Sequence, residues 1–298
     1  MSKSLIYQIF GAIYATIRSY LLYVSYRIAL NREIEEKYLN LHMNRYFIEL
    51  AYKGTNYHGW QIQNNATTVQ EKLNHAISIL TRQPAETMGC GRTDAGVHAT
   101  QFYAHIDFNE SIDSLTDFSR RLNAILPKDI YIYNTHAVEE NAHARFDATS
   151  RSYSYYISKQ KNIFQPDHVW FCPFSLNLSA MQDLSNLLLD HTDYGCFSKA
   201  GGQQFTNLCT ITEANWIENE TGFQFKISAN RFLRGMVRAI VGTLMEAGKN
   251  KLSADEFVHI LNSGDRKLAG HAVPAHALFL EQITYPYLSH PAQSPFNI

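Results

Sequence analysis

Apolar residues recur at every second position between Arg45 and Lys53, with Tyr46, Ile48, Leu50 and Tyr52 on one face, which predicts a strand. Gly54, Asn56 and Gly59 then mark a loop. Thr68-Val69-Gln70-Glu71 has the form of a capping box, and Val69, Leu73, Ala76, Ile77 and Leu80 follow at helical spacing. A strand over Gln101–Phe108 comes next, then a helix carrying Phe118, Leu122 and Ile125 that stops at Pro127, then a strand over Ile130–Val138. The second half repeats the theme. Strands are predicted over Arg151–Ser158, Thr210–Ile217, Gly222–Ala229 and Leu278–Tyr285, with helices over Ser179–Asp190, Arg231–Ala247 and Ala254–Asn262. This order predicts an α+β fold of two domains, residues 43–145 and 146–298, each an antiparallel sheet with helices on one face. The two sheets are expected to meet along a central basic cleft.

Residues 1–42 break the pattern. Ser4–Leu30 is rich in Ile, Leu, Tyr and Ala but is interrupted by Arg18 and Arg27. Its longest charge-free run, Ser4–Ile17, is shorter than the roughly 20 residues of a membrane span. No small-residue cleavage site precedes the charged stretch Asn31–Lys37, so a signal peptide fits poorly. The stretch reads as an extension, either an amphipathic helix or a start assigned upstream of Met43, and no membrane partner is expected.

Composition narrows the picture only a little. With 45% hydrophobic and 13% aromatic residues in 298, the chain can bury sizeable cores. Its formal net charge is −1, so any grip on a polyanion must come from a local basic patch. The four cysteines contain no C-x-x-C pair, and the 13 histidines sit in no metal-binding spacing. Free thiols suit a reducing, cytoplasmic setting, and no cofactor or metal is expected.

Three stretches carry candidate chemistry. Gly89-Cys90-Gly91-Arg92-Thr93-Asp94-Ala95-Gly96-Val97-His98 packs three glycines around Asp94, a loop that presents a carboxylate among small neighbours. Such a carboxylate can serve as nucleophile or general base, and Arg92 can meet a phosphate or a base. The same composition also suits an ordinary turn. In the second stretch, His143-Ala144-Arg145-Phe146 leads to Arg151-Ser152-Tyr153-Ser154-Tyr155, where strand alternation puts Arg151, Tyr153 and Tyr155 on one face. A ring beside a cation fits a flipped or single-stranded base, and equally a tyrosine packed under a helix. In the third, Arg231, Arg234 and Arg238 fall within one sector of roughly 60° if residues 231–247 are helical throughout. One of these guanidiniums could hold a carboxylate.

Together these stretches resemble the TruA-type tRNA pseudouridine synthases. The resemblance rests on Tyr57-His58-Gly59-Trp60-Gln61, Val69-Gln70-Glu71, Gly91–His98, Asn123-Ala124-Ile125-Leu126-Pro127, His143–Phe146, Met236-Val237-Arg238 and Pro274-Ala275-His276, in that order over Asn44–Pro286. It implies that Asp94 is the catalytic nucleophile, that Arg92 helps extrude the target nucleotide, and that Tyr153 stacks on the uracil. It further implies that Arg238 pairs with the aspartate and that Leu278 packs on the base from the other side. Arg145, Arg151, Arg231 and Arg234 become candidates for gripping tRNA. A homodimer, no cofactor, and uridines at positions 38, 39 and 40 of the anticodon stem-loop are implied as well. The residues leave open whether Asp94 attacks C1′, attacks C6 or assists elimination to a glycal. Two positions depart from the pattern: Gly235 stands where a polar residue or His is expected, and Ala277 where Gly is frequent.

Two other readings use the same residues. A non-catalytic RNA binder built from sheet aromatics lacks the RNP aromatic string and leaves the Asp94 loop without a purpose. A carboxylate-dependent nuclease or hydrolase needs a second carboxylate or a metal cluster, and neither stands near Asp94 in the sequence.

Overall fold

The computed structural model describes residues 17–32, 43–161, 163–164, 166–199 and 205–288. Two compact units are present. The first contains α1, residues 17–32, a helix on which Tyr20, Leu21, Leu22, Tyr23 and Tyr26 are exposed. The rest of the predicted extension lies outside the described residues. Among those residues no helix is long and apolar enough to cross a membrane.

The second unit takes in Arg45–Asp107 and the chain from Ile112 onward, and all that follows concerns it. Its elements in chain order are β1 (Asn44–Tyr52), α2 (Val69–Thr81), β2 (Met88–Gly89), β3 (His98–Phe108), α3 (Leu115–Ile125), β4 (Ile130–Val138), β5 (Ser150–Ser158), β6 (Trp170–Phe171), α4 (Leu178–Asn186), β7 (Ile211–Glu218), β8 (Gly222–Ala229), α5 (Met236–Gly248), α6 (Ala254–Ser263) and β9 (Leu278–Thr284). Among the described residues, nine strands make one mostly antiparallel sheet in the order β4-β1-β3-β9-β5-β8-β7, with β2 against β3 and β6 against β5. The fold is therefore mixed α and β, as the alternation of elements predicts. β9, last in sequence, joins the halves: it pairs parallel to β3 at His98 and Ala99, and antiparallel to β5.

Local chemistry sets the helix ends. Thr68 accepts from Glu71 N–H while Glu71 accepts from Thr68 N–H, and Ser253 and Glu256 do the same for α6. α3 ends at Leu126, whose extended backbone is what a following proline imposes. Asn123 then ties α3 to β4, donating to Ile132 O at 2.8 Å and accepting from its N–H at 2.7 Å.

Two elements differ from the sequence reading. β1 is buried on both faces: Phe47 and Glu49 are as hidden as Ile48 and Leu50. Phe47 packs among the rings of Tyr103, His105, Tyr285 and Tyr287. Glu49 accepts from Gln101 at 2.7 Å and has Asn134 and His136 3.4 Å from its other oxygen, so the carboxylate is hydrogen-bonded where alternation predicts solvent. The larger correction concerns α5, which starts at Met236 rather than Arg231. Gly235 stops it with φ +69°, a left-handed conformation that glycine adopts at little cost. Arg231 and Arg234 therefore lie on the segment before the helix, and the shared arginine sector does not exist. α5 is buried almost all round, which makes it a core helix with Arg238 at its first turn rather than one with a solvated basic face.

Two buried histidines give stability a pH signature. His98 and His105 are 1% and 7% exposed, and burial holds both down at about 4, below the usual histidine value of 6.5. The unfolded chain therefore binds protons that the folded chain refuses. The histidine contribution is expected to be full above about pH 6.5, to fall as pH drops toward 4 and to level there, at most on the order of 3 kcal/mol for each, while protonation of the depressed Glu49 carboxylate goes on lowering stability below pH 4. Urea midpoints measured across this window check it; a flat profile contradicts it.

Candidate active site

The loop from Cys90 to Val97 joins β2 to β3 and carries Asp94 at its centre. The segment just after β1 holds it in place. Trp60 N–H donates to Thr93 O, Gly96 N–H donates to Tyr57 O at 3.2 Å, and Val97 N–H closes the turn on Asp94 O at 3.1 Å. Tyr52 and Thr93 share a buried hydroxyl bond of 2.8 Å. Gly59 has φ +91°, and a Cβ there would stand 2.2 Å from Thr93 O, so backbone approach as well as conformation demands glycine. Trp60, 2% exposed, packs on Phe102 beneath the loop with ring centroids 4.2 Å apart. The Tyr57–Gln61 stretch thus buttresses the Asp94 loop, a role the sequence does not reveal.

Arg238, in the first turn of α5, reaches the aspartate. Its Nη1 donates to Asp94 Oδ2 at 3.1 Å, with the two side chains 23% and 29% exposed. Its Nε donates to Val273 O at 2.7 Å. Among the described residues Asp94 Oδ1 has no protein partner, so one carboxylate oxygen is fixed and the other is left for a ligand. Gly235 also borders the pair: a Cβ at this position would lie 4.0 Å from Oδ2 and 3.5 Å from the Cβ of Lys199. The departure from a polar residue here therefore leaves no side chain at this position next to the carboxylate, and Arg238 is its cationic partner.

Residues 273–276 hold the assembly from behind. Their carbonyls accept from Arg238 at Val273, from the Tyr155 hydroxyl at Pro274 (3.0 Å) and from His98 Nε2 at His276 (2.9 Å). His98 Nδ1 accepts from Gly54 N–H at 3.0 Å, which fixes the neutral tautomer with its proton on Nε2. Ala277, where glycine is frequent, has no left-handed backbone and is fully buried, so the alanine fits without strain.

Beside the loop lies a recess of about 370 Å³, part of it open to solvent, lined by Cys90, Gly91, Arg92, Thr93, Arg151, Tyr153, Phe232 and Leu280. Tyr153 is partly buried and meets Phe232 edge-on at 5.2 Å. Burial, the Cys90 thiol and the nearby charge of Asp94 push its hydroxyl well above the usual tyrosine range, against an opposing pull from Arg151. The phenol therefore keeps its proton at neutral pH, and its ring presents an uncharged surface. Across the strand pair, Leu280 opposes Tyr153 and Leu278 opposes Tyr155. Leu280 lines the recess, while Leu278 is 5% exposed within the core. Leu280 and Phe232 escape the sequence reading; the only available signal for Leu280 is its spacing of two from Leu278 on one strand face.

The arginines divide into distinct jobs. Arg151 spends all four terminal N–H groups on main chain: Nη1 donates to Ala148 O and Asn230 O, and Nη2 to Arg145 O and Cys90 O, at 2.7 to 3.2 Å. It clamps the start of the Asp94 loop to β5 and to the end of β8. Arg92 and Arg145 are exposed, and Arg145 is lowered from the usual guanidinium value by burial and then by the charges of Arg92, Arg151 and Arg231. These four form one basic cluster at the recess. Arg234 is exposed on the segment before α5, its carbonyl accepting from Lys199 N–H at 2.9 Å. Among the described residues no three His, Cys, Asp or Glu side chains converge as metal ligands.

Comparison with known proteins agrees with this geometry. A family model described as tRNA pseudouridine synthase matches residues 50–147 and 186–286. A protein named tRNA pseudouridine synthase A from Azobacteroides pseudotrichonymphae is 49% identical over 244 residues, covering 82% of this chain and 98% of its own. One of the same name from Parabacteroides distasonis is 47% identical over 244 residues, covering 82% and 97%. Another from Thermoanaerobacter is 37% identical over 247 residues, covering 82% and 100%. An aspartate loop, its paired arginine and a tyrosine-walled recess thus stand within a match over 82% of the chain, and the chain belongs to the tRNA pseudouridine synthase family.

Proposed function

We propose that this chain isomerises uridine to pseudouridine in the anticodon stem-loop of tRNA, at positions 38, 39 and 40, with Asp94 as the nucleophile. The observation that carries this reading is the Asp94–Arg238 pair at 3.1 Å, beside a recess walled by Tyr153, Phe232 and Leu280. The N1–C1′ bond breaks, the uracil turns, and C5 bonds to C1′; the C5 proton is lost and N1 gains one, so the reaction balances without a redox partner. A base within a stem must first leave the stack, which costs a few kcal/mol. Arg92 and Arg145, exposed, and Arg231 near them support a grip on phosphate that offsets this cost, while Arg151 holds the loop they border.

In the recess the uracil stacks on the neutral Tyr153 ring, with Leu280 closing the apolar wall. Leu278 acts from beneath, by packing against Tyr155 and the core. Arg238 orients the carboxylate, and the oxygen it leaves open is the one offered to the sugar or the base. The reading includes a homodimer, on the resemblance, and a cytoplasmic setting, which the four free cysteines suit. Tritium release from tRNA carrying [5-³H]uridine, run in EDTA, tests the activity: release is expected to persist. A metal-dependent nuclease would cut the RNA and stop in EDTA, and a pure binder would release nothing.

A further inference from the structure

We infer that Phe146 is a fixed stacking platform for an unpaired tRNA base next to the extruded uridine. The inference rests on the reading of the recess as a uridine site and goes beyond it, because it adds a second base position outside the recess.

Phe146 is 74% exposed, yet the loop that carries it is tied by hydrogen bonds on both sides of the ring. His143 Nδ1 accepts from both Arg145 N–H (3.0 Å) and Phe146 N–H (3.3 Å). Asp147 Oδ2 accepts from His143 N–H at 2.7 Å and from the Tyr287 hydroxyl at 2.8 Å. Arg45 donates to Ala142 O at 2.8 Å, His105 Nδ1 accepts from Ala144 N–H at 3.1 Å, and the Tyr285 hydroxyl donates to Ala144 O. Each bond shapes the backbone on either side of the ring, and none of them buries it. An exposed ring held this way has little ordering entropy left to lose on binding.

The ring's neighbours point to a nucleobase. The His143 ring backs it, with centroids 4.3 Å apart and planes 36° from parallel. The Arg145 guanidinium carbon lies 5.6 Å from its centre. Arg145 belongs to the basic cluster with Arg92, Arg151 and Arg231, and its carbonyl accepts from Arg151, whose other bonds reach Cys90 at the recess. An exposed ring with one guanidinium at it and further cations near that guanidinium matches a base with its phosphate, since stacking tolerates any base and the cations meet the backbone. A purely apolar protein partner would have to bury these guanidiniums unpaired. The location, bonded directly to the clamp on the Asp94 loop, places the stacked base beside the target nucleotide. There it takes over stacking that the helix loses when the uridine leaves.

The test compares F146A, F146L and F146W for tRNA binding and for tritium release, with the wild-type protein as control. F146A is expected to bind tRNA roughly 5- to 150-fold more weakly, the fold-change that corresponds to about 1–3 kcal/mol of base–aromatic stacking. Its melting temperature is expected to match the wild type, since the side chain is exposed. F146W is expected to restore binding, and its indole fluorescence to be quenched by tRNA; F146L, apolar but not aromatic, is expected to fail. Binding by F146A within two-fold of wild type, or rescue by F146L equal to that by F146W, overturns the inference. Failure of the wild-type control to release tritium would instead overturn the uridine reading itself, so the two failures are separate.

Discussion

Asp94→Asn is expected to bind tRNA within a few-fold of wild type and to lose turnover by at least about 10⁴-fold. The amide keeps the size of the carboxylate and can still accept from Arg238 Nη1, so the pair at 3.1 Å and the fold around it survive. Binding survives because the arginine cluster, rather than Asp94, meets the phosphates. What disappears is an anionic oxygen able to attack or to stabilise cationic character at C1′. Filter binding alongside tritium release checks both halves. Retained pseudouridine formation removes Asp94 from the nucleophile role; loss of binding together with activity would mean that the loop, not the chemistry, had failed.

Arg238→Leu is the second large effect. The substitution removes two bonds at once, to Asp94 Oδ2 and to Val273 O. The carboxylate then loses the partner that fixes its orientation, and misplacement on the scale of 1 Å costs roughly 10²-fold in rate. A drop in kcat of roughly 10²- to 10³-fold is expected, with KM much less affected. Val273 O, left without its donor, adds a stability loss of about 1–3 kcal/mol. Arg238→Lys keeps a cation but cannot serve both acceptors in the same geometry, so an intermediate rate is expected. Near-normal kcat in Arg238→Leu would mean that the ion pair has no part in the reaction.

The sequence reveals the parts of this site whose signals are local. Capping boxes at Thr68 and Ser253 mark the starts of α2 and α6, and the bounds of β4 and β8 follow from alternation alone. Asp94 stands out because its glycine-rich setting is continuous in the chain. The arginines were harder. Helical spacing suggests that Arg231, Arg234 and Arg238 act together, but a single left-handed glycine separates them, and a pattern of charges does not reveal a backbone φ. Strand alternation shows which way Arg151 points; it says nothing of its partners, two of which lie 61 and 79 residues away. Arg151 therefore reads as a phosphate ligand in the sequence and acts as a clamp on main-chain carbonyls in the fold. The Tyr57–Gln61 and Pro274–His276 stretches carry no side chain that the proposed chemistry uses. They work through main-chain bonds to loops remote in sequence, which only the folded chain displays.

The most direct measurement is the structure of Asp94→Asn bound to substrate tRNA, read at one place: the distance from the target C1′ to the residue-94 side chain. The account predicts a uridine swung out of the helix, its ring on Tyr153 and its C1′ about 3–3.5 Å from that side chain. A target uridine still stacked in the stem, or seated with residue 94 and the Tyr153 ring both out of reach, would contradict it.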